Sequence, residues 1–596
     1  MKKILALLLI VCMILPLAAC GGTAAPAEGT GTSEAGEETQ ASLSTIEAIN
    51  LATTIPEGET YDLDAKLPLV KEGEDNKLSI GIRVSANTTD YKDNDYTRWL
   101  EEKTGIDFEF VQFAGTNADT ATQVALMTAA GEKLPDILFW FSGINKAQGE
   151  QYGRDGYFRD LSEYYTDPDM NYYRRWGLIN SFPDDPTANE MLMRRGTDSE
   201  TSAIYSYPFL SGDPEDRPRN HVSINRLWLE KLGLEMPTTI DELYDVLVAF
   251  RDQDPNGNGI KDEIPMLCRP GNSYSDVTHW IMNAFLFVND SYYFNIEDGR
   301  LYVPYDQDEY RQALIFLKKL VDEGLLSSQS WTISSEEYKN LLNPTDGNPY
   351  TVGVCGASVY SDFLASGHSM QDYQQVPWLK DETGKGGYGP MASYAMYYTT
   401  FITEDCENPE LAFRFMDFLC APESYMRLRW GVEGRDWEWV DPAENLPGNL
   451  GGTARVRMLT DNDPQTYPNN ITWHAYGGMS SSQAFQQVVD LDDPDSFITA
   501  RYYHDTDCIR YCEEAGLPDE VFYFNVYTVE EKERRDEFVT DIQSYITTAR
   551  ADFCNGIANP ESDADWQAYL DNLDRLNKDE WISIGQTAYD RTFKNS

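Results

Sequence analysis

The chain is short of positive charge. Its 596 residues include 47 Lys and Arg against 99 Asp and Glu, a formal net charge of −52. A nucleic-acid reader needs a basic face to displace counterions from phosphate, so that class is excluded. The same charge opposes a broad, non-specific hold on anionic lipid or polyanions and leaves room only for a local basic pocket. Histidine is scarce as well. His221, His279, His368, His474 and His504 contain no His-Glu-x-x-His and no close pair, so a zinc hydrolase has no ligands. Neither a Gly-x-Ser-x-Gly elbow nor a P-loop occurs, which removes the usual acyl-transfer nucleophile and one of the usual phosphate cradles. Carboxylates are so numerous that a glycosidase-like pair arises by chance and carries no weight. Catalysis therefore has no positive feature, and a non-enzymatic role is expected. No run of 18 or more apolar residues occurs, so no bilayer-spanning segment is expected.

What is present begins with aromatics. The 37 Tyr and 13 Trp outnumber the 25 Phe two to one, and rings with a flat apolar face and a polar edge suit wet binding surfaces. The N-terminus carries an address. Lys2 and Lys3 precede an apolar run from Ile4 to Leu15, too short to span a hydrocarbon core and so a signal peptide, residues 1–19. Leu17-Ala18-Ala19-Cys20-Gly21 has the form of a bacterial lipobox, which makes Cys20 the lipidated first residue of the mature chain; an ordinary small-residue cleavage site is the alternative. Gly21 to about Ser42 is Gly, Ala, Thr, Ser and Glu without aromatics, a tract that cannot bury enough surface to order itself. Residues 20–76 are accordingly read as anchor and flexible linker, placing a folded body on the extracellular face of a membrane. Of nine cysteines, Cys12 and Cys20 belong to these segments; Cys508 and Cys512 stand one helical turn apart but lack a second pair for zinc.

From Lys77 onward strands alternate with helices. Leu78–Val84, Ile106–Gln112 and Asp136–Phe141 read as strands, and Tyr96–Thr104 and Thr120–Ala130 as helices stopped by Gly105 and Gly131. This βαβαβ order implies a parallel sheet with right-handed crossovers, and ligands gather beyond the carboxyl ends of such strands, here Ser85-Ala86-Asn87 and Trp140-Phe141-Ser142. A second region opens near His221. It contains a helix closed by Gly233, another with capping-box spacing at Thr239 and Glu242, an amphipathic stretch from Tyr310 to Glu323 and a buried strand, Thr351–Cys355. Glu410–Leu419 reads as a helix, and the last 150 or so residues as mostly helical without a repeat.

The sharpest local signal runs from Arg251 to Pro265. Oxygen side chains at alternate positions around glycines suit Ca²⁺, a hard cation that takes six to eight oxygens. Two registers compete. One starts at Asp252 and uses Asp254, Asn256, Gly257 and Glu263 as an EF-hand does. The other starts at Asp254 and uses Asn256, Asn258, Gly259, the Ile260 carbonyl and Asp262, with Glu263 adjacent. A bound Ca²⁺ would be structural, tying a helix end to the next strand; a plain acidic turn is the alternative.

Together these features resemble an extracellular solute-binding lipoprotein of a bacterial ABC importer, of the carbohydrate-binding type (family 1). The resemblance is carried by the lipobox, by Ala125–Leu138, by Tyr157–Leu161, by Trp228–Leu243 with the following Asp254–Glu263 loop, by Glu407–Leu419 and by Trp430–Gly434. Oligosaccharide-binding relatives carry a calcium loop of this form, which favours the Asp254 register. The resemblance implies an α/β, periplasmic-binding-protein-like type II fold: two α/β lobes with a hinge, plus extra C-terminal helices. The expected division is a first lobe over 77–205 to which about 390–430 return, a second over 206–389 with the loop, and 431–596 completing the second lobe as an accessory helical region. It also implies a monomer that closes on an oligosaccharide and delivers it to permease subunits. Trp140, Trp280, Tyr360, Tyr398 and Trp473 are the expected ring platforms, with Asn87, Glu433 and Arg435 as polar partners. A surface-anchored carbohydrate-active enzyme, or a binding protein for peptide or another solute, is the competing reading.

Overall fold

A computed structural model describes residues 45–594, apart from 183–186, 199, 212–220, 271–274, 290–292, 346, 358–361, 364–368, 382, 391–395, 461–467, 474–477, 481–484, 494–496, 523–524 and 526. In chain order the strands are β1 (Lys77–Arg83), β2 (Asp107–Phe113), β3 (Ile137–Phe139), β4 (Tyr207–Leu210), β5 (Val222–Asn225), β6 (Ile264–Leu267), β7 (Asn295–Glu297), β8 (Arg300–Tyr302), β9 (Val352–Gly356), β10 (Tyr373–Gln375), β11 (Met396–Ile402), β12 (Trp437–Trp439) and β13 (Val456–Met458). They form a five-stranded sheet ordered β2-β1-β3-β11-β4, a four-stranded sheet ordered β10-β5-β9-β6, and the pairs β7-β8 and β12-β13.

The first sheet begins as the alternation in its sequence dictates. β1 pairs in parallel with β2 on one side and β3 on the other, so the two intervening helices are crossovers. The helix Asp95–Thr104 ends on Gly105 at φ 78°, the left-handed position that glycine takes without steric cost. β11 then arrives from far along the chain and runs antiparallel between β3 and β4, a return that local periodicity does not reveal. Its flanking helix Pro409–Phe418 buries Leu411, Phe415 and Phe418 against this sheet's core.

The segment read as linker up to residue 76 is corrected by the structure from residue 45 onward. Residues 45–52 are helical, and Ile46, Ile49 and Ala52 are buried with Leu69. Tyr61 donates to Glu423 at 2.5 Å, and Glu74 pairs with Arg414 at 2.8 Å. Four apolar side chains and two polar ties suffice to order a stretch whose overall composition reads as coil. Residues 20–44, including Cys20, lie outside the described residues.

The second sheet carries its own core, and the C-terminal helices are part of it. Phe538, Ile542, Ile546, Phe553, Trp566, Tyr569 and Trp581 join one buried cluster with Val222, Trp228, Phe250, Leu314 and Leu317. The helix Val539–Cys554 is also bolted to this body by charge. Buried Arg550 reaches Asp276 at 3.1 Å and the His279 ring at 2.9 Å. Among the described residues no helix is long and apolar enough to cross a membrane. All seven cysteines from Cys268 to Cys554 are buried, unlinked thiols, Cys508 and Cys512 among them.

Candidate binding site

The chain leaves the first sheet after β4, returns to it at β11, and leaves again toward the helix Phe497–Ala515, so three connections join the two bodies. At this end of the first sheet stands an aromatic cluster. Trp140, directly after β3, has φ 58°, a conformation in which a bulky side chain is strained by about 1–3 kcal/mol and which concentrates at functional sites. Its backbone N–H donates to Thr400 Oγ1 at 3.3 Å and its indole N–H to the Gly478 carbonyl at 3.3 Å. Held so, the half-buried ring meets Phe209 at 5.0 Å and Tyr397 at 5.8 Å between centroids. Phe209 and Tyr397 are directly opposed across β4 and β11, where the ladder shifts register before Thr400. Bulges of this kind re-aim side chains beside active sites. Tyr397 keeps 46% of its surface open.

Beyond the carboxyl ends of β6 and β9 in the second sheet lies a polar group. Arg269 stands 3.9 Å from buried Asp362 and over the Tyr338 ring, and Ser275 Oγ donates to Asp362 at 3.4 Å. A Cβ on Gly356, the last residue of β9, would sit 2.7 Å from the Ser275 backbone, so only glycine lets this turn approach the strand. Between the bodies is a polar cavity of about 520 Å³. Lys146, Glu150 and Arg195 wall it from the first body, and Tyr527, Lys532 and Arg535 from the C-terminal helices. Burial raises the Glu150 carboxyl above its ordinary range, and the facing Lys146 ammonium only partly offsets this.

The oxygen-rich loop folds on itself. Asp254 (φ 47°), Gly257 and Gly259 are left-handed, and the Asp254 carboxylate accepts the N–H groups of Gly257 at 3.0 Å and Gly259 at 3.2 Å. The side-chain amides of Asn256 and Asn258 both reach Asp262, at 2.8 and 3.0 Å. Asp252 is drawn aside to Arg251 at 2.8 Å. Glu263 Oε1 is buried without a partner, and its carboxyl is raised by burial and by the neighbouring Asp262 and Asp254 charges. An orphaned carboxylate oxygen beside two further carboxylates and two side-chain amides fits a hard cation. The Ile260 carbonyl accepts from Asp262 N–H at 3.0 Å within the same turn, and among the described residues no ready-formed array of three His, Cys, Asp or Glu ligands exists.

Residues 85–426 match the family model described as bacterial extracellular solute-binding protein, more than half of the chain. The chain belongs to that family. Among curated relatives of this solute-binding protein, the fructooligosaccharide ABC transporter substrate-binding protein FusA of Streptococcus pneumoniae is 26% identical over 405 residues, 65% of this chain and 69% of FusA. Lipoprotein LipO of Bacillus subtilis is 28% identical over 218 residues, 36% of this chain and less than half, 43%, of LipO. The solved structure of FusA with kestose superimposes over 87% of this chain and 100% of that one, with TM-score 0.64 and 21% identity. A solute-binding protein of Bifidobacterium longum infantis described as binding HMO gives TM-score 0.66 at 21% identity, over 87% of this chain and 99% of that one. One solved form of FusA is an EF-hand mutant. The fold of this solute-binding protein is therefore the two-lobed α/β periplasmic-binding-protein-like one that its sequence resembles.

The residues expected at the ligand separate into two groups. Trp140 stands in the aromatic cluster, and Asn87 is half-buried after β1, its carbonyl accepting from Asn469 N–H at 2.9 Å. The others are placed elsewhere. Trp280 lies on a six-residue helix buried on all sides and donates to the Pro377 carbonyl at 3.1 Å. Trp473 is fully buried among Tyr91, Tyr96, Phe108, Phe110 and Phe139, its indole N–H 2.7 Å from Thr97. Tyr398 faces the core and donates to the Leu192 carbonyl at 2.8 Å. Glu433 pairs with Arg427 at 3.2 Å, and Arg435 is held between Asp436 and Asp95 at 2.7 and 3.0 Å, so both belong to surface ion pairs. Tyr360 lies outside the described residues. Sequence reasoning missed Phe209 and Tyr397, although alternation along β11 carries the signal: if Tyr398 faces the core, Tyr397 faces away from it.

Proposed function

We propose that this chain is the oligosaccharide-capturing subunit of an ABC importer, held outside the cell by lipid at Cys20 and handing its ligand to membrane permease subunits as a monomer. The observation that carries the reading is the strained, half-open Trp140 with Phe209 and Tyr397 at the mouth between two sheets, in a chain related to FusA along most of its length. Sugar rings present C–H faces that lie on such aromatic surfaces, while their hydroxyls take hydrogen bonds from groups like Asn87 and Arg269. Binding across both lobes favours the closed form, because only that form offers both sets of contacts; the closed population rises by the difference in affinity. The polar cavity beside the helix Lys146–Arg154 is the gap that such a motion would narrow.

The loop is assigned to structural Ca²⁺ in the Asp254 register, with Asp254, Asn256, Asn258, the Ile260 carbonyl, Asp262 and Glu263 as its oxygens. Supporting this are the orphaned Glu263 oxygen, the diversion of Asp252 to Arg251, and the naming of an EF-hand in FusA. The ion would neutralise three clustered carboxylates and fasten the end of helix Ile240–Asp252 to β6.

Titration calorimetry of the mature chain against fructooligosaccharides, human-milk-type oligosaccharides and peptides tests the capture reading. Saturable heat with a sugar and no product release supports it; heat with peptides alone, or hydrolysis of a sugar, refutes it. Palmitate incorporation that persists after Cys20→Ala would refute the anchor.

A further inference from the structure

The C-terminal helices complete a core, but one of them also reaches back across the gap between the bodies, and the capture reading gives that reach no role. The polar cavity of about 520 Å³ has a wall from each side. Helix Lys146–Arg154 with Arg195 and Asp198 comes from the first body, and helix Val529–Asp536 with Tyr527 and Thr528 from the second. The first of these helices begins six residues after Trp140, so the cavity lies at the same end of the first sheet as the ring cluster.

Both walls are rigid. A Cβ on Gly149 would sit 2.7 Å from the Phe401 ring, and one on Gly153 closer still to that of Tyr205, so helix Lys146–Arg154 lies on the first body at a distance only glycine permits. Beside that glycine face Lys146, Glu150 and Arg154 recur every four residues and form one stripe. Across the gap, helix Val529–Asp536 is fastened to the last helix, Lys578–Tyr589. Arg534 donates twice to Glu580 at 2.6 Å, and Asn525 donates to the Gly585 carbonyl at 2.8 Å. Arg591 holds Glu531 just beyond.

Most charges on these walls are satisfied within their own body. Arg154 is held by buried Asp198 at 2.9 Å and Arg535 by Asp536 at 2.7 Å, while Glu533 is exposed. Lys532 differs: it is half-buried, lines the cavity and has no carboxylate within ion-pair distance among the described residues. Facing it, Glu150 is 15% exposed and pairs with Lys146 of its own helix. Burial still raises the Glu150 carboxyl; the Lys146 and Lys532 charges offset this only in part, and Asp198 adds to it. An under-compensated carboxylate and a cation without a carboxylate therefore stand on opposite walls of one gap.

We propose that helix Val529–Asp536 is a jaw by which the C-terminal region holds the two lobes together: as the gap narrows, Lys532 engages Glu150 and favours the closed form. This rests on the capture reading for its use, since a closed form already populated before the sugar arrives strengthens binding. The contact itself involves no ligand.

Small-angle X-ray scattering of the full mature chain without sugar reads the closed fraction from the radius of gyration. Calorimetry with fructooligosaccharides and human-milk-type oligosaccharides reads the effect on affinity. Lys532→Glu should enlarge the sugar-free chain and weaken sugar binding about two- to fivefold, the range of one solvent-touched ion pair. Lys532→Gln should fall between it and wild type, and Lys532→Arg should match wild type. Glu150→Gln should resemble Lys532→Gln, and the two together should be no worse than either alone, because they remove the same contact. A Lys532→Glu chain as compact and as tight-binding as wild type overturns the jaw, as do Lys532→Gln and Glu150→Gln effects that add in full. If Lys532→Glu enlarges the chain but no oligosaccharide binds even the wild type, the jaw stands and the capture reading fails.

Discussion

Replacing Arg550 with Met should loosen the C-terminal helices from the body they complete. Arg550 and Asp276 are 5% and 1% exposed and lie 3.1 Å apart, with the His279 ring as third member. Burial by itself would raise the Asp276 carboxyl; the Arg550 charge, then His279, reverse this and hold it well below the usual carboxylate range. Removing the cation leaves a buried carboxylate without its partner, which costs about 3–5 kcal/mol. For a body of this size each kcal/mol shifts the melting temperature by about 2 °C, so the loss is about 6–10 °C. Differential scanning calorimetry should find it in the transition of the second lobe, with that of the first unmoved. The acid side gives an independent check. A depressed carboxyl contributes stability that is complete above its unfolded pKa of about 3.9 and is lost as pH falls through the folded value, because the unfolded chain then binds more protons. Wild type and variant should therefore differ fully at pH 6 and begin to draw together only as pH falls below about 4, closing progressively toward the folded value. Adding Asp276→Asn to Arg550→Met should recover part of the loss. A variant that melts within a degree of wild type at pH 6, or a double variant that melts lower than the single, refutes the idea that this pair fastens the helices.

Other outcomes follow from single sites. Trp140→Ala and Trp140→Gly both remove the ring and should weaken sugar binding, but the glycine variant should be the more stable of the two by about 1 kcal/mol because it adopts the left-handed backbone freely; an alanine variant as stable as the glycine one would deny the strain. Asp417, which accepts the Tyr173 and Arg174 backbone N–H groups at 3.0 and 2.7 Å, is pushed up to about 7 by burial, against those hydrogen bonds and the Arg174 and Arg175 charges. Between about pH 4 and 7 the folded chain then holds a proton that the unfolded chain sheds, so stability should fall with rising pH by up to about 1.4 kcal/mol per unit, and Asp417→Asn should remove that slope in urea titrations. Chelation should lower the melting temperature by several degrees, since a cation at about a hundred times its dissociation constant contributes about 2.7 kcal/mol. Asp262→Ala should melt at the chelated temperature and ignore chelator.

The first sheet was legible because β1 and β2 alternate and glycines close the helices between them, so the parallel order followed from local rules. The return of β11 was expected only through the family resemblance, because a strand that comes back after nearly two hundred residues leaves no local mark of its partners. The ring platforms show the same limit at the scale of one residue. Trp140 was reachable from the rule that ligands gather at carboxyl strand ends. Tyr398 and Tyr397 are both aromatic, and only the pairing with β4 decides which one faces away from the core. Trp280 and Trp473 have the composition of a platform, but the first sits on a short helix buried on every side and the second plugs a cage of five rings. The calcium loop was readable because its chemistry is local, all within a dozen residues.

One buried cluster holds side chains from Val222, more than a third of the way along the sequence, to Trp581 near its C-terminal end. A secreted polypeptide crosses the membrane from its N-terminus, so half of this molecule has no finished interior until nearly the last turn has emerged. If the chain is exported as proposed, the export channel would receive a thread whose second core is still incomplete, and that core would close only outside. Cutting even the last two helices would not trim an ornament; it would open the wall of a room already furnished.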